Sequence, residues 1–122
     1  MDPNKLSNFS NEKDFMLYHE VYNLYLGLFP ILNKFPRSEK FTLRQKIEDT
    51  FLDLLLSIEN YQKQKKDNKS TQVKRMSYLF DKGKLLIRIS RDLNLISQNN
   101  YLALLPRFDI IGKLIGGMLR KL

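Results

Sequence analysis

The sequence predicts an all-α protein, an up-down four-helix bundle, and three observations carry that expectation. Apolar residues recur at three- and four-residue steps in four separate segments, and short polar links join those segments. No alternating run of β-branched residues bounded by Asn-Gly or Asp-Gly competes with this pattern, and Val21 and Val73 are the only valines. No repeat period emerges. A chain of 122 residues has room for one core, so a single domain over residues 11–122 is expected behind a flexible lead of residues 1–10.

The first helix opens after Asn11-Glu12, and Phe15, Tyr18, Tyr22, Tyr25, Phe29 and Leu32 mark its expected buried stripe. It stops near residues 33–35, because Pro36 disfavours helix in the residue before it and Pro30 bends the last turn. In the second helix Thr42 and Gln45 have the spacing of a capping box, and Ile47, Phe51, Leu54, Leu55 and Ile58 form the inward stripe. Residues 62–70 have no apolar side chain to bury, which predicts a loop or a frayed hairpin tip. The third helix is expected from about Thr71 to near Ser97, with Met76, Leu79, Phe80, Leu86, Ile87 and Leu93 inward. A fourth follows from about Asn100 to Lys121 with Leu104, Leu105, Phe108, Ile111, Ile115, Met118 and Leu122 inward; Pro106 either kinks it or marks its first turn.

Charge divides this chain in two. Residues 1–62 contain 7 Lys/Arg against 9 Asp/Glu, whereas residues 63–122 contain 14 against 4, within a total of +8. A field of that sign concentrates polyanions near one part of the surface. Cysteine is absent, which excludes disulfides, thiolate metal sites and a cysteine nucleophile and suits a reducing compartment. The polar N-terminus lacks a signal-peptide core, and no uncharged run approaches the ~18 residues of a membrane span, so a cytoplasmic protein with no membrane partner is expected.

Catalysis has little to stand on. His19 is the only histidine, without a second one four residues away or a Glu-x-x-His pair to hold a metal. The serines and threonines have no base beside them, and Gly112 to Gly117 lie in an apolar helix rather than in a loop after a strand. No enzyme, no metal and no cofactor is therefore expected.

The third helix carries the binding chemistry. Lys84, Arg88 and Arg91 follow i, i+4, i+7 and share a face, with Lys74 near it and Arg75 near the preceding lysine-rich link. Arginine there grips phosphate bidentately, so the stripe reads as a track for nucleic acid. Tyr78, Leu85, Ile89 and Ile96 form a second apolar side, which points to an oligomer interface or a helical partner. Gly112, Gly116 and Gly117 each cost the last helix about 1 kcal/mol relative to alanine, which predicts close backbone approach by another helix, in the bundle or between subunits.

Several stretches together resemble one family. They are Phe29-Pro30-Ile31, the link from Phe35-Pro36-Arg37 to Leu43, the basic third helix through Asp81, Arg88 and Arg91, and Ile111-Gly112-Lys113-Leu114-Ile115-Gly116-Gly117-Met118-Leu119. Over about residues 15–120 the chain resembles the Avd proteins, accessory variability determinants of diversity-generating retroelements, which are related to the four-helix proteins of ribosomal RNA intervening sequences. The resemblance implies a non-enzymatic bundle assembled as a ring-shaped homopentamer. It also implies binding to template RNA or cDNA, and association with a reverse transcriptase in mutagenic retrohoming. Arg37 and Arg88 match basic positions of the family pattern, whereas Lys84 and Arg91 are assigned by helix face alone. Met118 stands where family members often have tryptophan. An intervening-sequence protein without a polymerase partner, or a helical protein–protein adaptor, are the alternatives.

Overall fold

The apolar spacing is realised as four long helices. The computed structural model describes residues 12–122, so the lead expected at residues 1–10 lies outside the described residues. Helix α1 spans Glu12–Leu32, α2 Leu43–Tyr61, α3 Lys66–Asp92 and α4 Gln98–Arg120, with a 3-10 turn at Arg37–Glu39 between the first two. Each helix packs against the next and α4 returns onto α1, closing a four-helix bundle around one core. Among the described residues there is no strand.

The buried face of α1 differs from the aromatic stripe expected of it. Leu17, Val21, Leu24 and Leu28 turn inward and are at most 1% exposed, and Tyr18 and Leu32 accompany them. Phe29 is 49% exposed, while Tyr22 and Tyr25 pack at the margin of the core. Two periodic stripes run along this helix, rotated by roughly 100°. The aliphatic one takes the centre because it has no polar atom to keep hydrated, and the tyrosines keep their hydroxyl ends near water.

Pro36 follows the end of α1, and the chain then turns through the 3-10 segment with Phe35 buried beneath it. Arg44 pins this link to α2: its Nη2 donates to Asn33 Oδ1 at 2.6 Å and its Nε to Glu48 Oε1 at 2.7 Å. The expected capping box does not form. Thr42 is the N-cap, but its hydroxyl donates to Glu39 Oε1 at 2.8 Å, so the preceding turn captures it. The inward stripe of α2 is as expected, with Ile47, Phe51, Leu54, Leu55 and Ile58 all buried.

Helix α3 starts at Lys66, five residues before the predicted Thr71, and only residues 62–65 form the link. The polar stretch contains neither Gly nor Pro, so nothing in it forbids helix once the apolar turns that follow are docked. At the other end α3 stops at Asp92, earlier than predicted. Asn94 adopts φ 62°, a left-handed conformation that asparagine tolerates, and the Leu95 and Ile96 amides fold back onto the Ser90 carbonyl at 2.8 and 3.3 Å. Leu93 is consequently 59% exposed instead of buried, while Ile96 swings into the core at 3%.

Ser97 caps α4 by accepting the Asn100 amide at 3.1 Å. Ser97→Ala is expected to destabilise the protein by about 1 kcal/mol, read as a lower urea midpoint at unchanged slope. Leu104, Phe108, Ile111 and Ile115 are buried as predicted, whereas Leu105 (39%) and Leu122 (57%) face outward. Pro106 lies inside the helix, not at its start.

Candidate nucleic-acid interface

Core packing fixes which sides of α3 and α4 remain available. On α3 the buried residues Met76, Phe80, Gly83 and Ile87 occupy one side, so Lys84 sits at the edge of the core and Arg88 about 40° further out. Antiparallel α4 presents Tyr101, Leu105 and Phe108 alongside. Between the two helices lies an open cleft of ≈ 330 Å³, with Lys84, Leu85 and Arg88 on its α3 wall. A second hollow of ≈ 470 Å³ shares Lys84, Leu105 and Phe108 and continues to Gly112, Lys113 and Arg120. The result is one groove in which cations from both helices outnumber the carboxylates of Asp81 and Asp109 that also line it.

The cations differ in how far they are neutralised. Lys84 Nζ lies 3.6 Å from Asp81 Oδ1 and 4.6 Å from the centre of the Phe80 ring. Arg91 is committed more fully: its Nη2 is 2.9 Å from Asp92 Oδ1, and its guanidinium covers the Tyr101 ring at 4.4 Å. Lys113 pairs with Asp109 at 3.0 Å on the open surface. Arg88 is exposed and has no carboxylate partner among the described residues, which leaves its full charge directed at the groove.

The remaining predicted site residues stand apart. Arg37 is exposed on the 3-10 turn, at the end of the bundle shared by the α3–α4 link, and does not line the groove. Lys74 is exposed about 40° beyond Arg88 on the same side of α3 but does not line the groove, and Arg75 projects roughly opposite Lys84. Lys113 and Arg120, by contrast, line the groove although the cationic stripe read from the sequence does not include them. Their signal is the glycine pattern itself, because a bare helix surface lets Arg120 fold back along it. A Cβ at Gly116 or Gly117 would meet the Arg120 guanidinium at 3.5 and 3.8 Å, and one at Gly112 would meet the Phe80 ring at 3.5 Å. The close backbone approach expected at these glycines is therefore not made within the bundle.

The outward apolar seam of α3 consists of Tyr78 (61% exposed), Leu85 (47%) and Ile89 (38%). Ile96 drops out of it, being buried in the link after α3. His19 stacks on Phe15 and its Nε2 lies 3.0 Å from Asn23 Nδ2. Among the described residues no three His, Cys, Asp or Glu side chains gather as a metal site, and no helix is long and apolar enough to cross a membrane.

The family model described as bAvd-like matches residues 15–122. No curated protein and no solved structure matches the chain.

Proposed function

The chain belongs to the bAvd-like family, and on that premise we propose that it is a non-enzymatic, nucleic-acid-binding accessory subunit of a diversity-generating retroelement. It acts in the cytoplasm with the element's reverse transcriptase on template RNA or its cDNA. The observation that carries this reading is the convergence of Lys84 and Arg88 from α3 with Lys113 and Arg120 from α4 on one groove. Cations held on rigid helices at one seam follow a phosphate backbone, and Arg88 enters the contact without first breaking an ion pair. The exposed seam of Tyr78 and Ile89 is the surface through which copies of the chain associate into a ring, a pentamer by family resemblance, with Leu85 left at its edge as a lip of the groove. Such a ring repeats the groove around an axis, which raises avidity for a long polyanion without any new contact.

Light scattering with and without a structured RNA, at two salt concentrations, tests the reading. A ring-sized oligomer is expected that gains mass with RNA at low salt and loses it at high salt. Four phosphate contacts predict a log–log salt slope of about −3. Co-purification with the neighbouring reverse transcriptase completes the test. A monomer indifferent to RNA would reduce the relationship to one of fold.

A further inference from the structure

The α3–α4 cleft contains more apolar surface than phosphate binding uses. Leu85 and Leu105 form its lips at 47% and 39% exposure, Tyr101 stands on one wall, and buried Phe108 closes the floor. The Arg91 guanidinium covers the Tyr101 ring at 4.4 Å and supports this wall. At ≈ 330 Å³ the cleft lies at the small end of the ~300–1,000 Å³ range of ligand pockets, suited to one planar ring system and too small for a helix or strand. Charge complementarity selects the occupant: Lys84 and Arg88 stand at the mouth of an apolar slot, the arrangement that a phosphate joined to a flat heterocycle satisfies.

Resting on the nucleic-acid reading above, we infer that this cleft seats one unpaired base of the bound strand, so that the protein prefers single-stranded or looped segments to duplex. In a duplex the faces of the bases are hidden in the stack, and only phosphates can reach the groove. An unpaired base can leave the strand, lie between Leu85 and Leu105, and set its phosphate on Arg88. Asp81, 3.6 Å from Lys84, repels phosphate at that corner but accepts a hydrogen bond from an exocyclic amino group. From Tyr101 to Gly112 the groove runs about 17 Å at ~1.5 Å per helical residue, long enough for more than one nucleotide.

Three probes of equal length decide the matter at one salt concentration: an unpaired RNA, the same backbone without bases, and a duplex. The unpaired RNA is expected to bind about tenfold tighter than either of the others, the effect of one seated base. Leu105→Trp, which fills the cleft without changing charge, should bring the unpaired RNA down to the level of the baseless strand and leave the salt slope intact. As a second readout independent of that variant, a 2-aminopurine in the unpaired probe should change its emission on binding the unaltered protein. Equal affinity for all three probes with a steep salt slope, or unchanged 2-aminopurine emission on binding, overturns the inference and leaves the proposed function standing. No binding of any probe overturns both.

Discussion

Gly83→Ala is expected to lower the stability of the bundle by about 2 kcal/mol, although alanine is the better helix former. A Cβ at Gly83 would lie 2.5 Å from Phe51 Cζ and 2.9 Å from each Cε. Phe51 is fully buried, its ring parallel to that of Phe108 at 6.4 Å, and Phe80 meets Phe108 edge-on at 6.0 Å. The ring of Phe51 therefore cannot retreat without moving a stack that ties α2, α3 and α4 together. Overpacking of that kind costs about 1–3 kcal/mol and sometimes more, whereas the helix gains only about 1 kcal/mol from alanine. Equilibrium urea denaturation measures the net effect, and a fall in melting temperature of roughly 8 °C should accompany it. Phe51→Leu, which removes the obstructing end of the ring, should cost about 1 kcal/mol alone and less than that in the Gly83→Ala background. A stabilised Gly83→Ala protein would mean that α2 and α3 do not approach this closely.

Gly83 shows why some of the molecule was not legible from sequence. In a basic helix a lone glycine reads as a small propensity cost, and its purpose appears only when Phe51, 32 positions earlier, is laid across it. By contrast, the stripe of α2 was legible in full, because Ile47, Phe51, Leu54, Leu55 and Ile58 fall on one continuous arc and only Leu52 and Leu56 compete with it from outside. Helix α1 has two competing arcs, and which of them is buried depends on the neighbouring helices rather than on its own periodicity. The ends of α3 were misjudged for opposite reasons. Its start has no stop signal to mark it, and its end depends on the left-handed Asn94 and the Ser90 carbonyl, a closure that apolar spacing does not register. For the groove, i, i+4 spacing was enough to join Lys84 and Arg88. Lys113 and Arg120 could not be added without knowing how α4 is rotated against α3, and Arg75, grouped with the lysine-rich link, lies about 100° from Lys74 and outside the groove.

The Lys84→Ala, Arg88→Ala double variant is expected to weaken nucleic-acid binding about 30-fold at low salt while the bundle stays folded. Each lost phosphate contact removes roughly 0.7–0.9 from the log–log salt slope, so the slope should become shallower by about 1.5 as affinity falls. Stability should change by no more than about 0.5 kcal/mol, since both side chains extend into solvent and the Lys84–Asp81 pair is long, 43% and 70% exposed, and screened by water. Arg91→Ala is the informative contrast. Its guanidinium is occupied by Asp92 and the face of Tyr101, so its removal should cost stability while shifting the salt slope little. Salt titrations by fluorescence anisotropy, paired with thermal melts of the same samples, separate the two behaviours. If Arg91→Ala flattens the slope as much as the double variant does, the phosphate track runs along the Tyr101 end of α3 instead of through the groove shared with α4. If neither variant changes the slope, the cations of this seam do not contact phosphate at all, and the charge asymmetry of the chain must act through another face.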